Sequence, residues 1–432
     1  MNDCFRVLGR AGEKFLKGSV AVSGAKNSAV KVMASSLLFE DPIRLSNVPM
    51  IEDVKKIAEL LRKVGVAVSF RGHDMDISPP SSISSSLSSF LDEEIASKTR
   101  SSLVLTGALL GRTGKAVFPN PGGCNLGDRP IDFFLEGYKK MGASVIEKEG
   151  KYTVRAKDGL KGTDIFFRVQ SHTATETFMM AALLARGTTV LKNCALEPEV
   201  KSLSDYLISC GAQISGAGTP TIVIKGGQLL QAEGKIYNTM PDRIEAGSFL
   251  ILGALAGSEL SITKCNPADL EIVIEILRSA GVDIEVSSDS ILVRGVSNPK
   301  ALNIRTHEYP GLPTDLQAMM AVFLTQAKGA STLFETIYGG RLEYLKELEK
   351  MGAKVEIKDE HRAEIFGPTP LYGASLKAPD IRAGFALILA GLVAQGETII
   401  HNAYTIDRGY EMIEKKLSAL GASIQRIAAS DA

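Results

Sequence analysis

The chain lacks several features that would assign it to a broad class of protein. Its 432 residues carry 49 basic and 49 acidic side chains, so no net field attracts nucleic acid and any anion must bind at a local cluster. The five cysteines are scattered and contain no Cys-x-x-Cys pair, which argues against a disulfide framework and a cysteine-held metal. No apolar run reaches about 18 residues, and the first residues lack a signal peptide's charged start and apolar run. We therefore expect a cytosolic protein without membrane or nucleic-acid partners.

What the chain does contain is one motif that occurs six times. An amphipathic helix is followed by a glycine, then by alanine or valine, and then by a strand of alternating apolar residues. Glycine is favoured at such a position because the residue after a helix often adopts a left-handed conformation. The chain exceeds the size at which a single core keeps growing, so we expect two lobes of three repeats each. The six glycines recur about every 70 residues and are Gly65, Gly142, Gly211, Gly281, Gly352 and Gly421.

A second series of helices alternates with the first. These helices are apolar on almost every side, which predicts burial on every side. Each repeat should thus combine a buried helix, an amphipathic surface helix and several strands, which makes the fold class α/β. The predicted buried helices span residues 27–38, 101–110, 175–184, 246–255, 316–324 and 383–393.

Polar and cationic residues stand at the start of each buried helix. A helix N-terminus presents free N–H groups and a partial positive charge, so it can bind an anion. Capping of the helix would explain the Asp, Ser and Thr residues at these places. It does not explain Lys and Arg, which oppose the helix dipole and which a bound anion explains better. The residues concerned are Lys26, Asn27, Arg100, Ser171, His172, Thr173, Asp242, Arg243, Thr314, Asp315, Asp380 and Arg382.

The segment from Asn120 to Pro130 is predicted to be a loop because it contains three glycines and two prolines. It follows a short strand-like run and leads into an amphipathic helix, in which Pro130 suits the first turn. Cys124 therefore lies just before a helix N-terminus, with Arg129 five residues further on. Both features favour a reactive, partly ionised thiol.

Together these residues resemble the UDP-N-acetylglucosamine 1-carboxyvinyltransferases of the enolpyruvyl transferase family. The resemblance implies an inside-out α/β barrel of two lobes with three repeated units each and the active site in the cleft between them. One lobe is expected to span residues 26–239, and the other residues 1–25 and 240–432. The segments that carry the resemblance are Ser23–Asn27, Pro121–Pro130, Leu196–Glu199, Pro241–Glu245, Pro313–Asp315, Arg341 and Ile406–Tyr410.

The same resemblance implies transfer of the enolpyruvyl group of phosphoenolpyruvate to the 3′-hydroxyl of UDP-N-acetylglucosamine, with release of phosphate. It implies no metal or organic cofactor, and it implies inactivation by the epoxide phosphonate fosfomycin at Cys124. The cysteine is expected to act as acid and Asp315 as base. The expected phosphoenolpyruvate ligands are Lys26, Arg129, Arg408, Arg100, Arg341 and Arg382. The expected nucleotide-sugar ligands are Asn27, Arg100, Arg129, Pro130, Ile131, Asp132, Phe133, Ser171, His172, Thr173, Asp315 and Ile337.

Three other hypotheses remain open at this point. A transferase of the same fold that acts on shikimate phosphate is disfavoured by the Gly-Gly-Cys loop around Cys124. A non-catalytic nucleotide-sugar sensor should have lost part of the acid, base and phosphate-binding set, all of which is present in the sequence. A purely structural solenoid would not need cations where its buried helices begin.

Overall fold

The structure is a computed structural model that describes residues 3–80, 87–122 and 131–431. These residues form two compact units. Residues 24–80, 87–122 and 131–240 make up the inserted unit, so named because it interrupts the other unit in the chain. Residues 3–23 and 241–431 make up the flanking unit.

The two units are built from α-helices and short strands. In chain order the helices are α1 Lys26–Ser35, α2 Glu52–Lys63, α3 Glu93–Ala96, α4 Leu103–Thr113, α5 Asp132–Lys140, α6 His172–Leu183, α7 Pro198–Ser209, α8 Arg243–Ala256, α9 Glu271–Ser279, α10 Gln317–Thr325, α11 Leu345–Lys350, α12 Ile381–Val393, α13 Ala403–Asp407 and α14 Ile413–Ala419. The strands are β1 Asp3–Arg10, β2 Leu16–Ala21, β3 Ile43–Ser46, β4 Ala67–Arg71, β5 Asp74–Ser78, β6 Lys115–Pro119, β7 Ser144–Lys148, β8 Lys151–Arg155, β9 Asp164–Phe166, β10 Thr188–Lys192, β11 Gln213–Ser215, β12 Thr221–Lys225, β13 Ile236–Asn238, β14 Gly257–Thr263, β15 Asp283–Val286, β16 Ser290–Arg294, β17 Asn303–Arg305, β18 Gly329–Phe334, β19 Lys354–Ile357, β20 Arg362–Gly367, β21 Ser375–Lys377, β22 Gln395–His401 and β23 Ser423–Ala428.

The sheets of the inserted unit have the strand orders β13-β3-β5-β4, β6-β8-β7 and β11-β12-β10-β9. In the first and last of these, an edge strand pairs in parallel with its neighbour and the remaining pairs are antiparallel. In the middle sheet a single parallel bridge between Phe90 and Val117 takes the place of that edge strand. The strand β13 comes from the far end of the unit's sequence, and it pairs with β3 near the beginning.

The flanking unit repeats the same design with the strand orders β21-β22-β1-β23, β15-β16-β14-β2 and β17-β18-β20-β19. Each of these sheets also has one parallel edge pair and two antiparallel pairs. The amino-terminal strands β1 and β2 complete sheets whose other strands come from the carboxyl-terminal half of the chain. The predicted α/β fold class is confirmed by this mixture of helices and sheets.

The glycines that follow the surface helices have the conformation that the sequence predicts. All six adopt positive φ angles, from 88° at Gly142 to 101° at Gly65. A side chain is strained in this region and glycine is not. The prediction of a left-handed residue at the end of each surface helix is therefore confirmed.

The six inner helices, α1, α4, α6, α8, α10 and α12, are buried along almost their whole length. They form the centre of one hydrophobic core in each unit. Burial of these helices on all sides, as predicted, is confirmed. The inner helices are strongly apolar. Even so, no helix in the described ranges has the length and hydropathy needed to cross a membrane.

Close packing of α4 against α6 generates a stability prediction. A methyl group added at Gly107 would lie 2.2 Å from the carbonyl oxygen of Thr177, whereas one at Gly111 would meet only the Leu184 side chain, at 3.1 Å. We expect Gly107→Ala to lower the free energy of unfolding by roughly 1–3 kcal/mol, because backbone cannot move aside easily. Gly111→Ala is the matched control and should change stability by less than about 1 kcal/mol. Urea denaturation of both variants measures the difference, and equal stabilities would contradict close helix contact at Gly107.

Candidate active site

Asp315 lies at the centre of an ion-pair cluster in the flanking unit. It is part of a 3-10 turn, Thr314–Leu316, that leads directly into inner helix α10. Its Oδ2 accepts a hydrogen bond from Arg382 Nε at 3.0 Å, and its Oδ1 accepts one from Arg341 Nη2 at 3.4 Å. The Asp315 side chain is 31% exposed, whereas both arginine side chains are almost fully buried. The structure thus brings together three residues that the sequence assigns to the site.

Both guanidinium groups remain charged in spite of their burial. Burial by itself would lower the pKa of Arg382, but the combined attraction of Asp315, Tyr410 and Asp242 outweighs burial and raises the pKa above the usual range. The pKa of Arg341 is raised by a similar balance, in which burial is outweighed by the combined attraction of neighbouring groups, led by Asp315 and Asp380. Cations that are shielded from water attract anions more strongly than exposed ones do.

Glu335, directly after β18, is fully buried and orients the groups around Asp315. Its Oε2 accepts a hydrogen bond from Thr314 Oγ1 at 2.7 Å, and this hydroxyl oxygen in turn accepts one from Arg341 Nη1 at 2.7 Å. Its Oε1 accepts hydrogen bonds from the backbone N–H groups of Ile337 at 2.8 Å and Tyr338 at 3.2 Å. One buried carboxylate therefore fixes both the arginine and the loop that carries Ile337.

Arg408 lies on a tightly packed turn just after α13 and is half-buried. The residue before it, Asp407, accepts hydrogen bonds from Arg426 Nη1 at 3.0 Å and Nη2 at 2.6 Å. The residue after it, Gly409, is needed because a Cβ there would lie 2.5 Å from the Ile381 side chain. The neighbours of Arg408 thus hold its backbone in place at the start of α12.

Tyr410 closes the same turn and connects two inner helices. Its ring stacks on Phe385 of α12 with 4.5 Å between centroids, and its hydroxyl lies 2.8 Å from Ser248 Oγ of α8. The Arg382 guanidinium lies over the ring, 5.3 Å from its centre. Burial raises the pKa of Tyr410 to about 12, so the phenol is neutral at physiological pH.

Capping explains some of the polar residues at the helix starts but not others. Asp242 Oδ1 accepts hydrogen bonds from the Ile244 and Glu245 N–H groups at 2.8 and 3.0 Å, and so it caps α8. Asp380 caps α12 in the same way. Asp315 instead uses its carboxylate oxygens for two arginines.

In the inserted unit, Lys26 is the first residue of α1, as the sequence predicts for a cation at a helix start. Its Nζ lies 3.2 Å from Asp53 Oδ2, and both side chains are largely buried. Asn27 follows in the first turn and is half-buried. A carboxylate of this chain is therefore one partner of the cation at this helix start.

The start of α6 carries Ser171, His172 and Thr173, all half-buried. Ser171 caps the helix, because its Oγ accepts a hydrogen bond from the Ala174 N–H group at 3.2 Å. The imidazole of His172 contacts Lys31 of α1, with 3.2 Å between Nζ and Nδ1. These three side chains are therefore next to each other at the amino end of a single helix.

The remaining expected ligands have mixed positions. Arg100 begins the 3-10 turn before α4 and is half-buried. Ile131 is buried in the core, Asp132 is exposed at the start of α5, and Phe133 packs against Phe134 with 4.6 Å between ring centroids. Cys124, Arg129 and Pro130 lie outside the described residues.

Comparisons with known proteins identify the family of the chain. Residues 11–417 match the family model described as EPSP synthase (3-phosphoshikimate 1-carboxyvinyltransferase). The chain belongs to this family. It is 42% identical, over 95% of its length and 94% of the relative's, to a UDP-N-acetylglucosamine 1-carboxyvinyltransferase of Koribacter versatilis. It is 43% identical, over 96% of its length and 98% of the relative's, to UDP-N-acetylglucosamine 1-carboxyvinyltransferase 3 of Caldanaerobacter subterraneus.

Solved structures of the family have the same fold. The enolpyruvyl transferase NikO from Streptomyces tendae superimposes with a TM-score of 0.86 and 25% sequence identity, over 99% of both chains. An EPSP synthase from Acinetobacter baumannii gives a TM-score of 0.73 at 18% identity, over 99% of this chain and all of the other, and supports the fold alone. The predicted family, fold class and transferase activity are confirmed by these similarities.

Four charged residues that contact the candidate residues, one lysine and three carboxylates, were not identified from the sequence of this transferase. Lys31 and Glu176 lie inside inner helices that are otherwise apolar. A charged residue that interrupts an apolar helix could have indicated a functional or paired group. The other two, Asp53 and Glu335, lie 27 residues from Lys26 and 21 residues from Thr314 in the chain, and no local pattern distinguishes them. Among the described residues, no group of His, Cys, Asp and Glu could hold a metal ion.

The other cysteines of the transferase generate a prediction about Cys124. Burial raises the pKa of Cys194 to about 12 and that of Cys265 to about 11, and it also raises the pKa values of Cys4 and Cys210. All four thiols are buried. Because only the thiolate is nucleophilic, we expect iodoacetamide at pH 8 to modify the folded protein first at Cys124.

Mass spectrometry of the digested protein locates the adduct. Cys124→Ser should abolish the fast modification, whereas urea should expose all five cysteines to the reagent. A first adduct on any of the four buried cysteines would contradict the prediction.

Proposed function

We propose that this protein transfers the enolpyruvyl group of phosphoenolpyruvate to the 3′-hydroxyl of UDP-N-acetylglucosamine and releases phosphate, in the first committed step of peptidoglycan precursor synthesis. The observation that carries this proposal is 42% identity, over 95% of the chain, to a relative named for this acceptor. A cytosolic location stays a prediction.

The chemistry requires both an acid and a base. The double bond of phosphoenolpyruvate is a poor electrophile until its CH₂ carbon is protonated. In the addition step, the acid protonates that carbon, the sugar oxygen bonds to C2, and the base takes the hydroxyl proton. In the elimination step, the new methyl group loses a proton, the bond from C2 to the phosphate oxygen breaks, and phosphate leaves with the electron pair. Cys124 is the proposed acid and Asp315 the proposed base.

The surroundings of Asp315 are compatible with a base whose strength depends on substrate. Two guanidinium groups donate hydrogen bonds to its carboxylate oxygens at 3.0 and 3.4 Å, and hydrogen bonds to a charged carboxylate oppose its protonation. Anionic substrates near Arg341 and Arg382 would compete for the same guanidinium groups. We infer that Asp315 accepts a proton more readily when both substrates are bound.

Several cations are proposed to hold the two anionic substrates. Lys26, Arg129 and Arg408 are assigned to phosphoenolpyruvate, and Arg100, Arg341 and Arg382 add further positive charge. Bidentate guanidinium groups suit carboxylates and phosphates particularly well. The nucleotide sugar is assigned to Asn27, Arg100, Arg129–Phe133, Ser171–Thr173, Asp315 and Ile337.

The test measures phosphate released from phosphoenolpyruvate with UDP-N-acetylglucosamine, with shikimate 3-phosphate, and with neither acceptor. The second acceptor is included because the family model is described by a 3-phosphoshikimate activity. We expect release only with the nucleotide sugar. Release with shikimate 3-phosphate would overturn the acceptor assignment. Calorimetric binding of UDP-N-acetylglucosamine without any release would instead support a non-catalytic sensor.

Asp315→Asn should lower turnover by at least about 100-fold, the usual contribution of a general acid or base. Asparagine keeps the shape of the side chain and can still accept a hydrogen bond from one arginine through its single carbonyl oxygen, but it cannot take a proton. Asp205→Asn, on the exposed face of α7, is the control and should retain normal turnover. Thermal unfolding checks that both variants fold. Near-normal turnover in a folded Asp315→Asn variant would assign the base to another residue.

A further inference from the structure

A buried lysine of the inserted unit contacts a residue of the proposed nucleotide-sugar site. Lys31 lies in the second turn of α1, and its side chain is only 3% exposed. Its ammonium group forms an ion pair with Glu176 Oε2 of α6 and lies 3.2 Å from Nδ1 of His172. Glu176 is completely buried and lies one helical turn after His172. None of the interactions expected from the sequence accounts for this cluster.

The contact determines which imidazole nitrogen carries the proton. An ammonium group has three donors and no acceptor, so it forms a hydrogen bond with Nδ1 only if Nδ1 presents a lone pair. The neutral ring then carries its hydrogen on Nε2. In the other neutral tautomer, the N–H of Nδ1 would point towards the ammonium group, and donor would face donor.

A protonated His172 that donates to Glu176 is the competing arrangement. The distance from Nδ1 to Glu176 Oε2 is 3.6 Å, which is too long for a good hydrogen bond. The same carboxylate oxygen already accepts a hydrogen bond from Lys31. A proton on Nδ1 would also face the ammonium group at 3.2 Å. The geometry therefore favours the lysine as the partner of Nδ1.

We propose that Lys31 is a positioning residue that fixes His172 as its Nε2–H tautomer, so that His172 donates a hydrogen bond to a diphosphate oxygen of the nucleotide sugar. This proposal rests on the proposed function. The His172 side chain is 37% exposed and begins a helix, where the helix dipole favours an anionic acceptor. The neighbouring Ser171 hydroxyl is engaged in capping that helix. The opposite tautomer would direct a lone pair towards the phosphate and repel it.

The variants must remove the lysine without leaving a buried charge. Lys31→Met alone would leave Glu176 buried without its cation, which is strongly destabilising. The double variant Lys31→Met/Glu176→Gln removes both charges and keeps similar side-chain volumes. The matched control is Lys201→Met/Asp205→Asn, which removes an exposed ion pair of 2.6 Å on α7 of the same unit.

The first measurement is the histidine tautomer in the full-length protein, and it needs no substrate. Long-range ¹H–¹⁵N spectra of ¹⁵N-histidine protein distinguish a protonated Nδ1 from a protonated Nε2. Of the five histidines, His172 is identified by the signal that His172→Gln lacks. We expect the Nε2–H form in the parent and in the control, and a mixture of tautomers in Lys31→Met/Glu176→Gln. An Nδ1–H form in the parent, or an unchanged tautomer in the double variant, would overturn the proposal.

The second measurement is steady-state kinetics. We expect Lys31→Met/Glu176→Gln to raise the KM for UDP-N-acetylglucosamine by about 3- to 10-fold, in keeping with the modest value of one hydrogen bond. The kcat and the KM for phosphoenolpyruvate should change little. A purely structural role would instead lower kcat and thermal stability together, and that result would contradict the proposal.

Glutamine at position 172 provides the decisive control, because its amide donates a hydrogen bond whether or not Lys31 is present. In a His172→Gln background, Lys31→Met/Glu176→Gln should therefore leave the KM unchanged. An equal rise in KM in both backgrounds would overturn the proposal. If the parent shows no transferase activity but has the Nε2–H tautomer, the proposed function fails while the assignment of Lys31 stands.

Discussion

Burial of the inner helices on every side is the constraint on which the candidate site depends. Each such helix leaves its first N–H groups without intrahelical partners, so capping and charged groups collect where it begins. Asp315 precedes α10, Arg382 and Lys26 lie in the first turns of α12 and α1, and His172 is the first residue of α6. The core that stabilises each unit therefore also fixes the positions of its polar groups.

Short-range patterns in the sequence made the helices and the turns that end them predictable. A glycine after each surface helix and an apolar surface all around each inner helix are short-range signals, and both were confirmed. The strand pairs that complete each sheet from distant parts of the chain could not be predicted in this way. Ile236 of β13 pairs with Arg44 of β3, and Cys4 of β1 pairs with His401 of β22. Such pairs join residues that are far apart in the sequence, so no local pattern predicts them.

Charged residues inside the apolar helices show a second limit of sequence reasoning. A helix that is apolar around its circumference predicts burial, and burial alone argues against a lysine or a glutamate. Lys31 and Glu176 are nevertheless buried in such helices, because each residue is the counter-ion of the other. Since they come from different helices 145 residues apart in the chain, neither can be matched to the other from spacing. The sequence shows that a charged residue interrupts each of these apolar helices, but it does not show which residue is the ionic partner.

The pairing of the site's cations with carboxylates has an energetic consequence for the proposed binding of anionic substrates. Lys26 pairs with Asp53, and Arg341 and Arg382 pair with Asp315. A buried ion pair contributes little net stability, but removal of one partner is strongly destabilising, by about 3–5 kcal/mol. In the proposed binding mode, a substrate anion that replaced Asp53 beside Lys26 would leave a carboxylate that is 2% exposed without this cation, and the same penalty would apply. Asp315 is 31% exposed, so water can solvate its carboxylate when an anion takes its place beside the arginines. The proposed exchange is therefore less costly at Asp315 than at Asp53, while in the free protein both carboxylates hold their cations in position.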